Sequence, residues 1–223
     1  MCGRFTLRLP PQVLQSFFDL IRPIEYVPND NVCPTQYIVA IRRDKEGRYA
    51  EKLFWGLIPS WSKDRSFAAK LINARSETLA EKNSFKNAFR KRRCLIPASG
   101  FYEWQKIDKS TKQPCEIGMK DNQPFAMAGL WENWTDPETK EKVPSATIIT
   151  TQANELLEPI HERMPVILPQ TLWDVWLDTE VTEVESLQPL LRPYPAEQMK
   201  LEPLTEPPGK ARSRPPGLFP EYP

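Results

Sequence analysis

The sequence has one histidine, His161, and only four cysteines, Cys2, Cys33, Cys94 and Cys115, none at Cys-x-x-Cys spacing from another. Neither a zinc site nor a disulfide framework is expected from so sparse a set, and no metal is assigned. Charge of one sign is also missing: Lys and Arg number 30 against 29 Asp and Glu, a formal net charge of +1. The field of the whole molecule therefore does not select a polyanion, and any anion site must be a local patch. No run of about eighteen apolar residues occurs and no apolar stretch follows the N-terminus, which argues against a helical membrane span and a secretory signal. The expectation is a soluble, cytoplasmic monomer.

Its 223 residues, 40% of them hydrophobic, suit one domain able to bury roughly 70% of its unfolded surface. Behind Pro10 and Pro11, the spacing of Val13, Leu14, Phe17 and Phe18 predicts a short helix after a first strand. QYIVAIR (36–42) and YAEKLFWG (49–56) read as a strand pair across a charged turn. A helix is expected near 78–92, with Leu79, Phe85 and Phe89 on its apolar side, and the basic run Arg90–Arg93 is expected to be a solvated helix end. CLIPASGFYEW (94–104), PCEIGMK, QPFAMAGLWENW and SATIITT (145–151) then read as strands, and PQTLWDVWL and VESLQPLL as late helices. The fold class that follows is α+β, a curved, mainly antiparallel, barrel-like sheet with peripheral helices. From Pro203 on, prolines punctuate the chain, so residues 203–223 are expected to form an extended or disordered tail outside a domain of residues 2–202.

The chemistry concentrates in MCGRF (1–5), FWGLIPSW (54–61), LINARSET (71–78), CLIPASGFYEW (94–104) and IHERMPVIL (160–168). Cys2 is small enough to permit loss of Met1, which would leave an N-terminal 1,2-aminothiol. Such a group condenses with an aldehyde through its amine and then closes through its thiol to a thiazolidine. An α-amine ordinarily titrates at about 7.7–8.0 and a thiol at about 8.5, which leaves a useful fraction of neutral amine near pH 7. Tethering the two groups makes the second step intramolecular. Proton transfer needs an acid–base group, and Glu103, flanked by Phe101, Tyr102 and Trp104, is the candidate. Asn73 offers an amide to orient the amine. Arg75, two residues later, shares its face in an extended segment and suits a phosphate. Arg4 and Arg163 could neutralise further phosphates, Trp61 offers a face on which a base stacks, and Trp55 reads as core.

Taken in order from Met1 to about Leu168, these stretches resemble the SRAP family, whose members act on abasic sites in single-stranded DNA. The resemblance implies a covalent crosslink through Cys2, with abasic single-stranded DNA as partner, no cofactor, and a nucleoid association if the source is bacterial. It implies active-site roles for Asn73 and Glu103, sugar contact and proton transfer at His161 within His-Glu-Arg-Met-Pro, and DNA contacts at Arg4, Trp61, Arg75, Thr150 and Arg163. It also leaves room for weak lyase activity and autocatalytic removal of Met1. Cys33 stands where the family often has Ala, which reads as a small core substitution, and Ser99 where Asp is common. Two readings of another class stay open: a peptidase or amidohydrolase with an N-terminal cysteine nucleophile, and a non-covalent single-strand binder.

Overall fold

Strand β1 (Phe5–Leu7) opens the chain, and α1 (Pro11–Phe17) starts on a proline, whose missing N–H costs nothing at the first helical position. β2 (Asn29–Val32), β3 (Tyr37–Arg43) and β4 (Arg48–Trp55) follow, then the short β5 (Asn73–Arg75) and α2 (Lys86–Lys91). Five longer strands come next: β6 (Arg93–Ala98), β7 (Gly100–Lys106), β8 (Lys112–Met119), β9 (Phe125–Thr135) and β10 (Lys142–Gln152). β11 (Arg163–Pro165), β12 (Ile167–Leu168), α3 (Trp173–Leu177), α4 (Val184–Leu187) and β13 (Met199–Pro203) end the order. The computed structural model describes residues 2–209.

β10 pairs with β4 in parallel, and β4–β3, β3–β6, β6–β9 and β9–β10 are all antiparallel, so the ring closes into a barrel. Closure removes the free edges that an open sheet would present. A second antiparallel sheet runs β13-β8-β7-β1-β2. It is seated on the barrel by contacts such as the Phe5 and Trp55 rings, 5.2 Å apart edge to face. The class is α+β, as the alternation of the strands predicts.

β6 is buried at every position because both of its faces are covered. Trp176 on α3 donates from Nε1 to the Cys94 carbonyl at 2.9 Å. Arg93 donates to the carbonyls of Trp176, Phe89 and Val181. The basic run is therefore not uniformly a solvated end: Arg93 is buried, with burial pulling its guanidinium down to about 10, and Arg92 bonds Glu132 at 2.6 Å. The helix expected near 78–92 is also shorter. A 3-10 turn spans Ser76–Thr78 and α2 begins only at Lys86, because Asn83 and Ser84 favour turns over helix interior.

A small satellite core of Ile58, Ala68, Trp134 and Val143, with Phe54 packed on it, anchors the loop between β4 and β5. Trp134 Nε1 donates to the Ser62 carbonyl at 2.7 Å. Gly56 is the hinge of that loop. Its φ is +135°, and a Cβ there would stand 2.4 Å from the Ala68 carbonyl oxygen. Part of the expected tail is placed: Pro203 ends β13, and the Leu204 N–H donates to the Pro114 carbonyl at 2.8 Å. Residues 210–223 lie outside the described residues. Among the described residues no helix is long and apolar enough to cross a membrane, and no cluster of His, Cys, Asp and Glu could hold a metal.

Gly56→Ala should destabilise the protein by about 2 kcal/mol, since it adds both backbone strain and a collision with backbone. Thermal unfolding checks this; an unchanged Tm would show that the loop is not pinned there.

Candidate active site

Cys2 is fully buried and belongs to the main core. Asn73, on β5, donates from Nδ2 to the Cys2 carbonyl at 2.9 Å, tying the N-terminus to the barrel. Its Oδ1 is buried and has no hydrogen-bond partner among the described residues. A buried, unpaired amide oxygen is costly, so it is an acceptor waiting for a donor. Burial pushes the Cys2 thiol far above its ordinary range, Glu103 adds to that shift, and the positive N-terminus opposes it. Neutral thiol, not thiolate, is the resting form.

Glu103 lies on β7 opposite Cys115. Burial raises its carboxyl above the ordinary range, while the positive N-terminus and His161 pull it the other way. The net effect of burial favours the protonated carboxyl, a form able to donate a proton. His161 accepts the Arg163 backbone N–H at Nδ1, 2.9 Å away. In a neutral ring the proton then sits on Nε2. Cys2, Asn73, Glu103 and His161, far apart in sequence, converge through these contacts.

β10 positions the next group. Asn73 pairs with Ile148 and Arg75 with Thr150 on one edge, and Arg163 pairs with Gln152 on the other. Arg75 is exposed, as a phosphate contact requires. Thr150 and Arg163 are buried. Arg163 Nη2 donates to the Thr150 carbonyl at 2.7 Å, and both its terminal nitrogens meet the Glu77 carboxylate, at 2.6 and 2.9 Å. This fork-to-fork pair holds the Glu77 carboxyl below the usual range through its hydrogen bonds.

Arg4 lies with its guanidinium carbon 5.7 Å from the centre of the Trp104 ring, and Trp61 stands on the loop held by the satellite core. Trp61 is 56% exposed and meets Phe67 edge to face at 5.6 Å. Sequence reasoning missed Phe67 and Glu77. Glu77 lies inside the LINARSET stretch two residues past Arg75, but nothing local says that its partner is Arg163.

The chain has counterparts among known proteins. The family model "SOS response associated peptidase (SRAP)" matches residues 1–209. The abasic site processing protein YoqW of Bacillus subtilis is 45% identical over 209 residues, covering 90% of each chain. The abasic site processing protein HMCES of Pongo abelii is 31% identical over 244 residues, with 86% of this chain and 69% of that one covered. A crystal structure of a protein from Bacteroides thetaiotaomicron superposes with a TM-score of 0.80 at 28% identity, covering 91% of this chain and 92% of that one. The chain belongs to the SOS response associated peptidase (SRAP) family.

Proposed function

We propose that this protein processes abasic sites in single-stranded DNA by trapping the sugar aldehyde on Cys2 once Met1 has been removed. The carrying observation is the convergence of Asn73, Glu103 and His161 on the N-terminus. The relatives' names as abasic site processing proteins support the same substrate.

The proposed chemistry balances with one water lost. The neutral Cys2 amine adds to C1′ of the open sugar to give a carbinolamine. Its hydroxyl leaves as water with a proton from Glu103, giving an iminium and the Glu103 carboxylate. The Cys2 sulfur then bonds to the iminium carbon while the thiol proton passes to that carboxylate, which leaves the ring nitrogen neutral with its one hydrogen. His161 donates from Nε2 to a sugar oxygen and helps to open the ring. Asn73 Oδ1 accepts from the new amine and fixes its direction. Arg4 and Arg75 hold phosphates, and Trp61 with Phe67 stacks a base, worth roughly 1–3 kcal/mol.

In place of the direct phosphate contacts expected of Arg163 and Thr150, we assign both a bracing role. Arg163 ties β11 to the Glu77 turn across β10, and Thr150 supplies the carbonyl it grips. Opening the Glu77 pair would be needed before Arg163 met DNA.

Mature protein incubated with a single-stranded oligonucleotide carrying one abasic site should give a band shift that survives denaturation, with the mass of one water lost. Cys2→Ala should abolish it, and so should a retained Met1, which intact mass reveals. A shift that persists in Cys2→Ala sinks the proposal, and cleavage of a peptide substrate unaffected by competing DNA would favour the hydrolase reading.

The Glu77 brace makes a pH prediction. Because its carboxyl is depressed in the folded state, its stabilisation is present above the unfolded value of about 4.3 and lost as pH falls through the lower folded value. The Tm deficit of Glu77→Gln should therefore be largest near neutral pH and shrink below about pH 4. With a side chain 44% exposed, solvent screening keeps the effect under about 1 kcal/mol. A deficit constant across that range would rule out the ionic brace.

A further inference from the structure

The end of the described chain returns to its beginning. After β13 the backbone crosses to Arg4, whose Nη1 donates to the Pro208 carbonyl at 2.9 Å. The same nitrogen reaches Asn31 Oδ1 at 3.5 Å. Among the described residues no hydrogen bond engages Arg4 Nε or Nη2. A guanidinium has five N–H donors in a fixed plane, so fastening one corner sets where the others point.

Gly209 is fitted to this place in two ways. Its φ is +93°, a region that side chains rarely adopt, and a Cβ there would lie 2.8 Å from Asn31 Nδ2 and 3.6 Å from Arg4 Nη1. The close approach and the hydrogen bond are independent features of one built contact. Asn31 is itself held by β2, which pairs with β1 just past Arg4.

We propose that Pro207–Gly209 is a positioning strap for Arg4: the Pro208 carbonyl and Asn31 hold one corner of the guanidinium so that Nε and Nη2 meet a phosphate of the bound strand. The inference rests on the reading that Arg4 faces DNA and adds what aims it. The strap acts on affinity and leaves the chemistry at Cys2 alone, since the bond it makes is to Arg4 and not to an acid–base group.

The test is a double-mutant cycle in the full chain with two readouts. One is the Kd for an unmodified single-stranded oligonucleotide, by fluorescence anisotropy. The other is the crosslinking rate at saturating abasic oligonucleotide. Gly209→Val should raise Kd roughly three- to tenfold, the scale of a weakened charge-assisted contact, with the saturated rate unchanged. Arg4→Ala should raise Kd at least as much, and adding Gly209→Val to it should raise Kd no further, because the strap then has nothing to aim. A chain ending at Gly209 should keep the wild-type Kd, and one ending at Thr205 should behave as Gly209→Val.

Full additivity of the two substitutions, or an unchanged Kd in Gly209→Val, overturns the strap. Tighter binding in Gly209→Val would instead mean that the segment blocks the surface, which also overturns it. Loss of affinity in the chain ending at Gly209 would move the effect to residues 210–223 and overturn it too. An unchanged Kd in Arg4→Ala alone marks failure of the underlying DNA-contact reading at this residue, distinct from failure of the strap.

Discussion

Strand β10 is hydrogen-bonded along both edges, and the two halves of its length do different work. Its first half, from Lys142 to Ile148, pairs with β9 on one edge, while Ser145 and Ala146 pair with β4 on the other, and this closes the barrel. Its second half, from Ile148 to Gln152, takes β5 on the β4 edge and β11 on the β9 edge. β5 brings Asn73 and Arg75, and β11 brings Arg163. One continuous backbone ladder thus transmits the rigidity of a closed sheet to the residues that seat the N-terminus. A site built on strand register is held more tightly than one on loops, which reactions that depend on orientation require.

Burial sets the chemistry on this frame. The core that covers Cys2 keeps its thiol protonated, and the same exclusion of water raises the Glu103 carboxyl. Further out, charges are matched across the fold: Arg163 with Glu77, Arg92 with Glu132, and Arg8 with Glu116 and Asp30. Each pair spans separate elements, so these bonds fix how the elements sit on one another.

Much of this is legible in the sequence. The apolar patterning of SATIITT and QPFAMAGLWENW marks β10 and β9, and the proline pair marks α1. The MCGRF, LINAR and GFYEW stretches point to residues that do converge. What stays hidden depends on distant partners. The pairing of Arg163 with Glu77 joins residues 86 apart in the chain, and Arg93 looks solvated until the Trp176 carbonyl of α3 is placed. The apolar spacing near 78–92 suggests a longer helix than forms, because it persists through Asn83 and Ser84, two residues that favour turns over a helix interior.

The Asn73 bond to the Cys2 carbonyl closes a separation of 71 residues, and the Arg4 bond to Pro208 one of 204. Contacts this far apart in sequence are slow to form, since each must overcome the entropy of closing a long loop. During synthesis the chain's first residues emerge long before their seat exists. Residues 2–4 are therefore synthesised before, and seated only after, the segments at 73 and 208 that hold them.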